Sequence, residues 1–207
     1  MNAPEGLPVP EQDKACFHLL GHPLPALIEL DSTCGSKVDL FMLSLSRPVM
    51  IFAYPKTGRP GQQVPTGWDL IPGARGCTPH LCSVRDSIQP LLAAEPDLVI
   101  YGLSLQDTEY QREAVRRLEL PFHILSDSKL ELTTALELPT FEVQGETFLK
   151  RFTLLLRGGQ ITRVDYPIFP PHKAAESALG LLVPEEELAR IVDERDAAEA
   201  ARLNGSA

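Results

Sequence analysis

An α/β fold with a mixed central sheet and helices on both faces is predicted by three features of the chain. Short continuous apolar runs at Pro48–Tyr54, Asp97–Gly102 and Phe122–Leu125 have strand length and lack polar alternation, as strands buried on both faces do. Segments with apolar residues at helical spacing lie between these runs, and strand–helix alternation implies parallel pairing. Two later runs, Phe152–Leu156 and Ile161–Tyr166, are joined through Gly158-Gly159. That pair supplies the positive φ of a tight hairpin, so antiparallel strands are added at one side.

Taken in order, residues 1–23 carry four prolines and read as an extended arm. Leu24–Leu45 mixes short apolar runs with D-S-T-C-G-S, a turn between two short strands. The Pro48–Tyr54 strand stops at Pro55 and feeds a loop to Gly76 that holds the only tryptophan, Trp68. A loop of that length without obvious structure is uncommon and often functional. Thr78 to about Glu95 reads as one helix, with Leu81, Val84, Ile88, Leu91 and Leu92 on one face and a kink at Pro90. Asp107–Leu118 is a helix with Tyr110, Ala114, Val115 and Leu118 on one face, and Ser128–Leu136 is a short one. Another helix follows Pro170-Pro171, and an Ala/Glu/Arg-rich helix covers Glu185–Leu203, with Leu188, Ile191 and Val192 docking on the domain or on a second subunit. The division is an arm (1–23), one α/β domain (24–183) and a helical tail (184–207). A thioredoxin-like sandwich fits this order.

Composition narrows the function classes. The 207 residues suit one domain, and 43% hydrophobic with 23% charged residues allows a sizeable core. A net charge of −9 argues against binding a phosphate backbone, which needs a surplus of lysine and arginine. No apolar stretch approaches the roughly 20 residues of a membrane span. The start, M-N-A-P-E-G-L-P, has acidic residues and prolines where a signal peptide has a basic and then an apolar run, so a cytoplasmic protein is expected. Four cysteines are too few for a secreted disulfide scaffold, and in a reducing compartment a close pair is more often catalytic, redox-sensing or metal-binding.

The close pair is Cys77 and Cys82, within I-P-G-A-R-G-C-T-P-H-L-C-S-V-R-D (Ile71–Asp86). The stretch lies just past the end of a buried strand, where open α/β sheets place their sites. An unperturbed thiol is only about 3% thiolate at pH 7. Cys77 has a helix start, with its free N–H groups and positive dipole end, and Arg75 and Arg85 nearby in sequence. Thiolate attack on a peroxide gives a sulfenic acid, which a second thiol condenses into a disulfide. Five residues apart in a helix, two Cα atoms are roughly 8–9 Å apart, beyond the 4.4–6.8 Å or so that a disulfide spans. Cys77 and Cys82 can therefore bond only if the first helical turn opens.

With Phe52-Ala53-Tyr54-Pro55-Lys56 upstream, the stretch G-C-T-P-H-L-C-S-V-R-D resembles the peroxiredoxins of the bacterioferritin-comigratory-protein (Q) class, of atypical two-cysteine type. The similarity runs from about Leu24 to Ile168. It implies a thiol-dependent peroxidase with Cys77 peroxidatic and Cys82 resolving, acting on hydrogen peroxide and organic hydroperoxides. A thioredoxin-like dithiol would then reduce the disulfide. It also implies that Arg151 stabilises thiolate and peroxide and that Pro55 shields the pocket. No cofactor, metal, nucleic acid or membrane is implied, and the expected state is a monomer or weak homodimer. Two departures stand out. Pro55 is far upstream of Cys77, and Ala74 occupies the place of a threonine or serine that normally offers a hydroxyl to the sulfur. Thr57, folded back by the long loop, is the substitute considered.

Other readings remain beside this one. Cys77 and Cys82 as packing residues, a metal site from Cys77, His80 and Cys82 with Cys16 or His18, and a non-enzymatic redox sensor all use the same residues. A disulfide oxidoreductase is disfavoured because there is no C-x-x-C pair. Cys16 and Cys34 read as packing residues, Trp68 as an anchor for its loop, and His18, His22, His80, His123 and His172 show no pairing that assigns a base.

Overall fold

The computed structural model describes residues 6–184 and 186. The helix expected at Glu185–Leu203 lies outside the described residues apart from Glu186. The central sheet has seven strands in the order β2-β1-β5-β4-β3-β8-β9, formed by β1 (Glu29–Ser32), β2 (Lys37–Asp39), β3 (Val49–Ala53), β4 (Val99–Ser104), β5 (His123–Ser126), β8 (Phe152–Arg157) and β9 (Gln160–Asp165). β3, β4 and β5 are parallel, as the alternation predicts. β8 and β9 extend the β3 side antiparallel, through a turn in which Gly158 and Gly159 both have positive φ. The β1–β2 hairpin also joins antiparallel, on the β5 side, so antiparallel strands flank both sides of the parallel core.

Every side chain of β3 is buried, and the strand's period of two divides them between two cores. Met50, Phe52 and Tyr54 face a cluster with Leu81, Cys82, Val84, Leu91 and Ala178. Val49, Ile51 and Ala53 face the opposite cluster with Leu40, Leu132 and Leu136. The first cluster is covered by α2 (Cys77–Asp86), α3 (Ile88–Ala94), α6 (Ala174–Leu181) and the end of α4 (Thr108–Leu118). The second is covered by α1 (Leu40–Ser46) and α5 (Glu131–Ala135). This is the predicted thioredoxin-like sandwich.

The turn between two short strands expected within Leu24–Leu45 is present as β1 and β2, one local expectation needs correction, and two elements are additional. The helix expected over Thr78–Glu95 is two helices that meet at Ser87, rather than one kinked at Pro90. Proline at position i lacks the N–H for the carbonyl of i−4 and crowds it; here i−4 is Asp86, the last residue of α2. Pro90 itself sits in the first turn of α3, where its missing N–H costs nothing. Leu40–Ser46 is a helix, capped by the Asp39 carboxylate accepting from the Met42 N–H at 3.1 Å. Thr140–Val143 (β6) and Glu146–Leu149 (β7) form a separate hairpin turning at Gln144-Gly145, both with positive φ.

The N-terminal segment is tied down. Asp13 accepts from Lys150 Nζ at 2.5 Å, from Tyr166 Oη at 2.8 Å and from the Ala15 N–H at 3.1 Å. The Lys150 bond foremost holds its carboxyl below the ordinary range. Residues from Cys16 onward then enter the second core.

Candidate active site

The long loop is fastened at both ends. Near its start, Thr57 is fully buried. Its N–H and hydroxyl donate to Gln106 Oε1 at 3.0 and 3.2 Å, and its carbonyl accepts from Tyr110 Oη at 2.9 Å. Near its end, Trp68 begins a single tight helical turn, Trp68–Leu70. It is buried edge-on against Phe148, with ring centroids 4.9 Å apart, and near Phe141 at 5.8 Å. The hairpin absent from the sequence reading is thus the platform on which the loop rests.

The loop ends at Gly76, with φ +98°, and α2 begins at Cys77. A Cβ at Gly76 would lie 2.5 Å from Pro171 Cγ, so both the backbone conformation and the close approach of the segment before α6 require glycine. Cys77 therefore occupies the first position of a ten-residue helix, where backbone N–H groups and the dipole favour negative charge.

The sulfur is 3% exposed. It lies 3.3 Å from Arg151 Nη2, and the thiol donates to the Ala74 carbonyl at 3.5 Å. Arg151, at the β7–β8 junction, is also 3% exposed. Its Nη2 also donates to the Gly73 and Arg75 carbonyls, each at 3.2 Å, and its Nη1 lies 2.6 Å from His80 Nδ1. A guanidinium only donates, so Nδ1 accepts and the imidazole proton resides on Nε2. Burial, and then the neighbouring Arg151 charge, push the His80 pKa well below the usual imidazole value, so the ring is neutral. Its edges meet Phe52 and Tyr54, with centroids 5.9 and 6.5 Å away. None of these partners is a carboxylate. Among the described residues the guanidinium is thus held by a neutral ring, two carbonyls and the Cys77 sulfur.

Cys77 borders a cavity of about 370 Å³ whose walls include Lys56, Val64, Trp68, Arg75 and Pro79. Its rim is cationic but partly compensated: Lys56 pairs with Glu146 at 3.6 Å and Arg75 with Asp69 at 2.9 Å. Arg85, expected beside Cys77, instead donates to the Leu118 carbonyl at 2.7 Å and to Asp86 at 2.8 Å, at the other end of α2. Pro55 is buried after β3, and neither it nor Thr57 lines this cavity. The hydroxyl of Thr57 is directed to Gln106.

Cys82 is buried one and a half turns along α2, in the core with Phe52 and Leu81. All four thiols are free. Burial drives Cys16 up to about 12. The exposed Cys34 is lowered first by its hydrogen bond with Ser32, then by Ser36. Among the described residues, no group of three or more His, Cys, Asp or Glu is placed to hold a metal, and no helix is long and apolar enough to cross a membrane.

Sequence reasoning passed over His80 because its role depends on a partner 71 residues away. The available signal was its place three residues after Cys77, within the same helical turn and on the same side.

A parallel-cored α/β sandwich with a thiol at a helix start beyond β3, backed by a buried arginine, defines a thiol protein of thioredoxin-like architecture. The redoxin profile matches residues 19–181, and the chain belongs to the redoxin family. A peroxiredoxin of Schizosaccharomyces pombe, bcp1, is 30% identical over 105 residues, which is 51% of this chain and 45% of that protein. The match thus spans less than half the length of that relative. The solved structure of peroxidoxin BcpB from Mycobacterium tuberculosis is similar with a TM-score of 0.61 at 21% identity, covering 79% of this chain and 95% of the other. Peroxiredoxin Q of Xanthomonas campestris has a TM-score of 0.60 at 19% identity, covering 78% and 94%. At these identities the two solved structures show the shared fold.

Because Trp68 lines the Cys77 cavity and rests on Phe148, opening the first turn of α2 is expected to change its emission. Fluorescence spectra of the reduced protein and of protein treated with one equivalent of peroxide test this. Superimposable spectra would mean that the loop does not respond to the redox state of the pair.

Proposed function

We propose that this protein is a thiol-dependent peroxidase for hydrogen peroxide and small organic hydroperoxides, with Cys77 as the nucleophile. The observation that carries the reading is the Cys77 sulfur at a helix start, 3.3 Å from a buried Arg151 that bonds no carboxylate among the described residues. The thiolate attacks the terminal peroxide oxygen, the O–O bond breaks, and the departing alkoxide or hydroxide takes up a proton. Cys77 is left as a sulfenic acid. Arg151 donates toward the oxygens as the bond lengthens, a preorganised charge-assisted interaction that strengthens with the developing negative charge. The Cys82 sulfur then attacks the sulfenic sulfur, water leaves, and a Cys77–Cys82 disulfide forms. A dithiol of the thioredoxin type returns both thiols and is itself oxidised. The reading includes a monomer or weak homodimer in a reducing, cytoplasmic setting. The chain divides into an arm (1–23), an α/β domain (24–183) and a C-terminal tail (184–207).

The test is sustained peroxide consumption coupled to thioredoxin, followed by a peptide map of the peroxide-treated protein. Turnover together with a Cys77–Cys82 linked peptide is expected. Oxidation that stops after one equivalent, even with reductant present, would favour a redox sensor and end the enzymatic reading. The Cys82→Ser variant is expected to consume one equivalent rapidly and then to accumulate sulfenic or over-oxidised Cys77. An unmodified Cys77 in that variant would remove it as the site of attack.

A further inference from the structure

We infer that Asp13, on the N-terminal arm, is a positioning residue for Arg151 and through it for the Cys77 thiolate, an inference that rests on the reading of Cys77 as the reactive thiol. Asp13 joins the two stretches that flank Arg151. One is Lys150, its immediate neighbour in sequence, and the other is Tyr166, two residues before Ile168, whose N–H meets the Arg151 carbonyl at 3.4 Å. The clasp also holds the preceding residues of the arm across the loop that ends at Cys77. Pro10 lies against Gly73 so closely that a Cβ there would be 3.3 Å from Pro10 Cγ. The Gly73 carbonyl in turn is one of the acceptors that orient Arg151 Nη2, the same nitrogen that reaches Cys77.

A cavity of about 220 Å³ lies between the arm and the arginine, bounded by Pro10, Asp13, Gly73, Lys150, Arg151 and Ile168. The guanidinium is oriented by its hydrogen bonds, and one of the acceptors, Gly73, is seated by the arm. Releasing the arm leaves Gly73 free to shift and Arg151 free to withdraw from the sulfur.

The experiment compares full-length wild type with Asp13→Ala and Asp13→Asn. The second variant keeps the side-chain shape and removes the charge that holds Lys150. The readouts are iodoacetamide alkylation of Cys77 at neutral pH, followed on its own peptide by mass spectrometry, the rate of its oxidation by hydrogen peroxide, and the melting temperature. Alkylation and oxidation of Cys77 are both expected to slow about three- to tenfold, the usual range for coupling through a contiguous network. A fall in melting temperature with both rates unchanged would overturn the inference, because a purely structural clasp would give that result. If wild type shows no peroxidase turnover, the functional reading fails on its own, while alkylation still reports whether Asp13 acts on Cys77. If Asp13→Ala does not fold, Asp13→Asn decides by the same measurements.

Discussion

Replacing Cys77 with serine is expected to abolish peroxide turnover, leaving only the slow background of the other thiols. A hydroxyl at this position has no sulfur to oxidise, and neither the helix start nor Arg151 can make it an equivalent nucleophile. The remaining cysteines are poor substitutes. Cys16 is buried and its thiol is pushed up to about 12, and Cys82 is enclosed in the core. Cys34 is exposed and lowered by Ser32 and Ser36, so it defines the background, and a Cys77→Ser, Cys34→Ser double variant measures it. The assay is thioredoxin-coupled consumption of hydrogen peroxide. Turnover in Cys77→Ser within a few-fold of wild type would exclude Cys77 as the nucleophile.

The second large effect is expected for Arg151→Lys. Lysine keeps the charge but not the fork that reaches His80, Gly73, Arg75 and Cys77 together. Losing one preorganised donor to a developing charge typically costs about 10²–10³ in rate. A fall of that order in kcat/KM for hydrogen peroxide is expected, and a change of less than about threefold would remove Arg151 from the chemistry. The substitution also strands buried acceptors, so a lower melting temperature is expected alongside it. His80 makes this arginine distinctive. A carboxylate partner would neutralise the guanidinium, whereas the neutral imidazole orients it and leaves its charge to the sulfur. His80→Gln, which keeps a neutral acceptor, should lose less activity than His80→Leu, which keeps none.

Long-range roles were the least legible part of the sequence. β3 was readable because five consecutive buried apolar residues permit little else, and the Gly158-Gly159 turn because of its backbone demands. Cys77 stood out through its flanks, and Arg151 through a resemblance rather than any local pattern. Helix α1 was missed because Leu40–Ser46 is short and apolar on most sides, so no period separates it from a strand. The β6–β7 hairpin was missed because its turn is Gln144-Gly145, a weaker signal than Asn-Gly or Asp-Gly. The break at Ser87 was displaced from the proline that causes it, since the steric conflict falls on Asp86. Thr57, considered as the missing hydroxyl, serves the loop through Gln106, and what faces the sulfur at Ala74 is a carbonyl.

Pro171 lies close over Gly76, against the first turn of α2. Cys77 and Cys82 can meet only after the first turn of α2 leaves its seat, and the segment before α6 holds that turn in place. In the proposed cycle a sulfenic acid at Cys77 would wait for that turn to open before Cys82 could reach it. A tighter grip would keep the oxidised sulfur waiting, exposed to a second and irreversible oxidation by the next peroxide. A looser one would hand it quickly to Cys82, at the expense of the ordered pocket that welcomed the first peroxide. Tolerance of oxidant and speed of attack would then be set against each other where Pro171 packs over Gly76.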